Sequence, residues 1–209
     1  IKKMIIMSLS ILFWGSVAWS AGESASNRKD QTLRLGMKTG IHLMYAVSQP
    51  FVFEIPGEDW TFGLVYGSGD LEISSTTTTS TTTTTTKDIW KFNTSELTGR
   101  YYIGNSFNIP FGIAMYNIHM DEWEYLGVDY ELDYSMTQLN FGIGNEWTYD
   151  WGGYLGIDWY QGGSKISDEV TVKLKSGTET ATTKSKALSQ STDIQAFGGV
   201  FVMTFGFGF

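Results

Sequence analysis

The chain has 209 residues, a formal net charge of −8, no cysteine, and 15% aromatic residues alongside 24 glycines and 3 prolines. Without cysteine there is no disulfide framework, thiolate metal site or thiol nucleophile, and an acidic balance with no Lys/Arg cluster excludes nucleic acid as a partner. Charged residues are only 17%, so the surface draws heavily on Gly, Tyr, Trp and Phe, as in membrane barrels with aromatic girdles. A soluble β-sandwich is the alternative at this level.

Lys2 and Lys3 precede an apolar run from Met4 to Val17, and small residues follow at Ala18 and Ser20. A charged n-region, an apolar h-region and an A-x-A-like site make a secretory signal peptide. Cleavage is expected after Ser20, which sets residues 1–20 apart and leaves 21–31 as an N-terminal periplasmic extension. A retained membrane helix is the competing reading, but the run is short of the roughly 20 residues a span needs. No second apolar run of that length follows. A mature chain that crosses a membrane must then do so as a closed barrel, which also satisfies every backbone group in hydrocarbon.

Alternation of period two, the mark of β-strands with unlike faces, runs through the rest of the chain. It predicts strands over 33–47, 60–67, 96–103, 107–116, 128–147, 153–161 and 196–209. Residues 128–147 change phase: Val128, Tyr130, Leu132, Tyr134 and Met136 are even, whereas Leu139, Phe141, Ile143 and Trp147 are odd. A β-bulge near Thr137-Gln138 would restore the face. This segment exceeds the roughly 9–11 residues that cross a bilayer, so its acidic first half is expected to project above it. In the last segment Phe197, Gly199, Phe201, Met203, Phe205, Phe207 and Phe209 share one face. An even strand count is wanted for a single-chain bacterial barrel; Phe51–Ile55, bracketed by Gln49-Pro50 and Pro56-Gly57, supplies the eighth. Pro110 must sit at a strand start or a bulge, because it lacks a ladder donor.

Tight links at 56–59, 104–106 and 148–152 are expected on the periplasmic side, and extracellular loops at about 72–88, 120–127 and 163–191. The fold class is therefore all-β: a closed antiparallel up-and-down transmembrane β-barrel of eight strands over 32–209, after a cleaved signal peptide. The chain resembles the small eight-stranded outer-membrane barrels of the OmpA-transmembrane-domain and OmpX kind. That resemblance rests on the signal peptide, the strand rhythm and the terminal Phe201-x-Met203-x-Phe205-x-Phe207-x-Phe209. It implies a cell outer membrane location in a Gram-negative-type bacterium after export by the general secretory route. It also implies outer-membrane lipid as surroundings, and the five terminal apolar residues as the signal read by the barrel assembly machinery.

Ser74–Thr86 is almost wholly Thr and Ser, has nothing apolar to bury, and reads as a mobile loop. Val170, Val172 and Leu174 alternate before Lys175-Ser176-Gly177-Thr178, which allows a hairpin in the last loop and a possible extracellular ligand there. The expected lumen charge network is Arg34, Lys38, His42, Glu54, Glu96, Arg100, Glu146 and Asp158, since a narrow barrel fills with side chains that must pair. Tyr45, Trp60, Tyr66, Tyr101, Trp147, Trp151 and Trp159 suit the aromatic girdle. Asp121, Glu122, Glu124, Asp129 and Glu131 form an acidic run that could hold a divalent cation or simply be solvated; no metal or other cofactor is expected. The chain has two histidines, His42 and His119, no GxSxG and no serine motif beside either, so no catalytic residue is assigned. A monomer with a structural or surface-interaction role is the leading reading. A small-solute or ion channel and a lipid-modifying outer-membrane enzyme stay open beside it.

Overall fold

The computed structural model describes residues 23–78, 83–125, 128–178 and 196–209; the expected signal peptide lies outside them. Helix α1 (Ser24–Lys29) precedes β1 (Arg34–Ile41), helix α2 (Leu43–Ser48) and β2 (Phe51–Pro56). There follow β3 (Trp60–Thr78), β4 (Thr83–Ile103), β5 (Phe107–Tyr125), β6 (Val128–Thr148), β7 (Gly153–Ser176) and β8 (Gly199–Gly208). The strands run up and down in sequence order as antiparallel neighbours, and β1 pairs with β8 to make a ring. No helix among the described residues is long and apolar enough to cross a membrane.

Residues 57–59, 104–106 and 149–152 make the links of one end, called here the short-turn end. Gly104 and Gly152 take φ of 77° and 93° there, a region where a Cβ is disfavoured. At the other end β3 to β7 rise well beyond β1, β2 and β8 as a five-stranded wall. Pro110 pairs with Arg100 on the β4 side, while the β5–β6 register passes from Asn108↔Gly144 to Phe111↔Phe141 with no partner for Ile109 or Pro110. The missing donor thus falls in a gap in one ladder, as a proline requires.

Several expected boundaries change. The strand expected over 33–47 stops at Ile41, after Gly40 at φ 138°, and the chain turns inward as α2. The loops expected at 72–88 and 120–127 are largely ladder: β3 and β4 pair out to Thr78↔Thr83, and β5 and β6 out to Tyr125↔Val128. The threonine run lacks apolar side chains, but a β-branched residue is stiff at χ1 and fits a pleated ladder. The alternation at Val170, Val172 and Leu174 belongs to β7, which pairs with β6 as far as Asp129↔Ser176 rather than folding on itself. Residues 179–191 of that expected loop lie outside the described residues.

The phase change in β6 is not a bulge in β6. Even-numbered side chains face inward along the whole strand, from Val128 to Thr148. What inverts is the chemistry of the two faces. Towards the short-turn end the outward residues are Leu139, Phe141 and Ile143, and the inward ones are Gln138, Asn140 and Glu146. Higher up, Leu132, Tyr134 and Met136 point in, while Asp129, Glu131 and Asp133 point out. Strand β5 inverts at the same level: Ile109, Ile113 and Met115 are exposed below, and Ile118 and Met120 are buried above. The register does shift at Thr137/Gln138, but the extra residue is Ile166 of β7.

In β8 a real bulge breaks the expected single face. Phe201 adopts φ 51°, and the β1–β8 register moves from Thr39↔Met203 to Ile41↔Val200. Phe201, Met203, Phe205, Phe207 and Phe209 are exposed outside. Phe197 instead packs inside, edge-on to Tyr116 with ring centroids 5.5 Å apart.

Candidate functional site

The interior of the ring is filled by two polar clusters and an apolar layer. In the cluster nearer the short-turn end, Arg34 Nη1 lies 2.5 Å from Glu146 Oε1, and Arg34 also donates to Gln31 Oε1 at 2.7 Å and Thr148 Oγ1 at 2.6 Å. Arg100 grips Asp158 with two bonds, Nη1 to Oδ1 at 2.6 Å and Nη2 to Oδ2 at 3.1 Å. Its Nε lies 3.6 Å from Glu146 Oε2 and 4.0 Å from Glu54 Oε1. The forked guanidinium suits this bidentate pairing. Tyr102 donates to Glu146 Oε1 at 2.6 Å.

The second cluster centres on α2. Lys38 Nζ sits 3.3 Å from Glu96 Oε2, and Tyr45 donates its hydroxyl to the same oxygen at 2.7 Å. Asn140 donates to Glu96 Oε1 at 3.1 Å and to Tyr116 OH at 3.2 Å, and Gln161 donates to Tyr45 OH at 3.2 Å. His42 stacks on Tyr45 with ring centroids 4.1 Å apart. Among the described residues neither of its ring nitrogens has a hydrogen-bond partner, so no acid there orients it as a triad base would require. Beyond this layer Met44, Phe92, Ile118, Met120, Leu132, Tyr134, Met136 and Val202 form an apolar cluster.

All eight expected network residues are buried: Arg34, Lys38, His42, Glu54, Glu96, Arg100, Glu146 and Asp158. Seven of them enter ion pairs with one another and His42 does not. The residues missed by sequence reasoning are the neutral hydrogen-bonding partners, Tyr102, Tyr116, Gln138, Asn140 and Gln161, together with Arg28. For Tyr102, Tyr116, Gln138 and Asn140 the available signal was an inward phase shared with Glu96 or Glu146 on the same or an adjacent strand. Gln161 breaks phase with Asp158 because Trp159 is an extra residue in β7, and Arg28 lies on a helix.

Two expected girdle residues are misplaced. Tyr45 is fully buried inside on α2, because the strand ends before it. Trp147 is only 4% exposed, lying where β6 runs into the last short turn. Trp60, Tyr66, Tyr101 and Trp151 are exposed, and Trp159 is half-buried, donating Nε1 to Asn145 Oδ1 at 2.8 Å.

On the outside of the tall wall, His119 Nδ1 lies 2.6 Å from Asp133 Oδ1 and its Nε2 lies 2.9 Å from Asp121 Oδ1. The Asp133 hydrogen bond, then that of Asp121, raises the His119 pKa above its ordinary value. Asp121 is held below the usual carboxylate range by Lys91, then by His119. Donor atoms of His119, Glu131 and Asp133 lie within 4.8 Å of one another, a span a divalent cation could bridge. Lysines already meet the acidic run here: Lys91 at Asp121, Lys175 at Glu122, and Lys173 at Glu131 and Asp133.

α1 closes the short-turn end. Arg28 is fully buried and donates to the carbonyls of Gly57, Glu58 and Asn105. Its guanidinium carbon lies 3.4 Å from the centroid of the Tyr102 ring. Ser24 Oγ accepts from Thr148 N at 2.9 Å, and Asn27 donates to Thr148 O at 3.1 Å.

No family model and no curated protein matches this chain. Among solved structures, the crystal structure of CarO from Acinetobacter baumannii is similar at 10% identity, covering 87% of this chain and 99% of that one, with a TM-score of 0.46.

Proposed function

We propose that this chain is an outer-membrane β-barrel protein of a Gram-negative-type bacterium, closed and transmembrane, with a structural or surface-interaction role and a sealed lumen. The observation that carries the reading is the inversion of faces along β5 and β6. A wall that is apolar outside and polar inside suits lipid; one that is polar outside and apolar inside suits water. Both occur in the same strands, with the change just beyond Met115 and Leu139. On this reading the lower ring lies in the bilayer, the short turns face the periplasm, and the tall wall stands outside the cell.

Export behind residues 1–20, assembly through the terminal Phe201–Phe209 pattern, a monomeric state and ligand binding at the outer wall complete the proposal. In strand number it resembles the OmpA-transmembrane-domain and OmpX kind. The side chains filling the interior favour a plug over a channel, and the lack of an oriented histidine base inside disfavours a lipid-modifying enzyme. The test is refolding of residues 21–209 into lipid vesicles, followed by planar-bilayer recording. Insertion without conductance steps is expected. Discrete steps altered by Arg100→Ala would replace the sealed lumen by a channel, and a chain that folds in plain buffer without lipid would overturn the membrane reading.

A further inference from the structure

Charge balance inside the ring singles out α1. Among the described residues the buried acids are Glu54, Glu96, Glu146 and Asp158, and the buried cations are Arg28, Arg34, Lys38 and Arg100. With His42 counted as neutral and all four acids as ionised, four meet four only while Arg28 is seated. Arg28 differs from the other three cations in touching no carboxylate. It holds backbone carbonyls of two short turns and lies on Tyr102, whose hydroxyl donates to Glu146. Inward of it, one oxygen of Glu54 and one of Glu146 are buried with no hydrogen-bond partner among the described residues, although Arg100 Nε lies 4.0 Å from Glu54 Oε1 and 3.6 Å from Glu146 Oε2. Arg34 and Arg100 are thus shared among three carboxylates, Glu54, Glu146 and Asp158, and a buried acid left short of counter-charge is strongly destabilising.

We propose that α1 is a removable plug whose Arg28 is the counter-charge of the Glu54–Glu146 end of the network, so that undocking it opens the short-turn end onto a binding site for a small monovalent cation. Three features support removal. α1 is only six residues long. Its hold on the ring is polar: hydrogen bonds of Ser24, Asn27 and Arg28 with strand ends and turns, the Arg28–Tyr102 stack and an exposed Lys29–Glu58 ion pair. The carbonyls of Gly57, Glu58 and Asn105 that it leaves behind are acceptors suited to a hard cation. The far end is closed by α2 and the apolar cluster, so the path leads in and not through. The inference rests on the interior being sealed apart from α1. It does not depend on insertion in a membrane, and a detergent-refolded protein tests it separately from the membrane reading.

The test compares the thermal midpoint of the chain and of Arg28→Gln in potassium chloride and in choline chloride at equal ionic strength. A ligand that binds only the folded state raises the midpoint with its concentration, whereas screening does not distinguish the two salts. The unaltered protein is expected to respond alike to both. Arg28→Gln should be stabilised by potassium and not by choline, and adding Glu54→Gln should abolish that preference. Should Arg28→Gln alone fail to fold, the double variant Arg28→Gln/Glu54→Gln is expected to fold, because it removes the uncompensated charge. Equal responses of Arg28→Gln to the two salts, a potassium preference that survives Glu54→Gln, or no rescue of folding by Glu54→Gln would each overturn the proposal.

Discussion

Arg34 and Glu146 stand 112 residues apart in sequence, yet their charged atoms lie 2.5 Å apart with both side chains fully buried. Removing one partner of such a pair leaves an uncompensated charge, at a cost of about 3–5 kcal/mol. Arg34→Met is expected to lose that much stability in denaturant titration of the detergent-folded protein, and Arg34→Met/Glu146→Gln distinctly less than the sum of the two single losses. Additive losses would mean that the pair does not couple.

The outward residues of the lower ring should tolerate no charge. Ile113, 47% exposed on β5, lies in the apolar band on the reading above. Ile113→Arg is expected to cost about 2–4 kcal/mol in a bilayer, measured by refolding into vesicles. Asn117→Arg, two outward positions further up the same strand, should cost far less.

Gly206 lies across the ladder from Gly36. A Cβ on Gly206 would stand 2.0 Å from the Leu35 carbonyl oxygen, which is backbone and cannot swing away. Gly206→Ala is therefore expected to lower stability by about 1–3 kcal/mol, the range for overpacking, with a matching fall in the denaturant midpoint. A neutral effect would show that the β1–β8 seam can open at that point.

How much of this was legible in the sequence follows from the period-two rule. Alternation located the strands and placed Arg34, Glu96, Arg100, Glu146 and Asp158 on inward faces, because a pleat gives each residue a side. It could not tell a bulge from a change of solvent. In β6 the apolar residues switch parity while the strand keeps its pleat, which on the proposed membrane reading is where water replaces lipid as the outer medium; in β8 parity switches because Phe201 is a true bulge. Tyr45 was misread because Leu43-x-Tyr45 alternates by chance at the start of a helix. Arg28 was missed because its partners are backbone carbonyls, which leave no trace in side-chain pattern.

His119 should make stability pH-dependent at the outer wall. Its folded-state pKa is raised, chiefly by Asp133 and then by Asp121, so the protonated ring favours the folded state. The contribution is full below the ordinary value of about 6.5 and is lost as pH rises through the raised folded value. Relative to His119→Gln, the protein should have the higher thermal midpoint in mildly acidic buffer, and the advantage should vanish in alkaline buffer. An advantage that grows with pH would contradict the assigned contacts.

The chain contains no cysteine, so a single introduced thiol can carry a spin label without background. The most direct measurement is the accessibility of labels at Ile113→Cys and His119→Cys, in vesicles, to oxygen and to a water-soluble nickel complex. If the faces invert where lipid gives way to water, the Ile113 label is expected to meet oxygen and exclude nickel, and the His119 label to meet nickel freely. Equal nickel access at both positions would contradict a transmembrane ring.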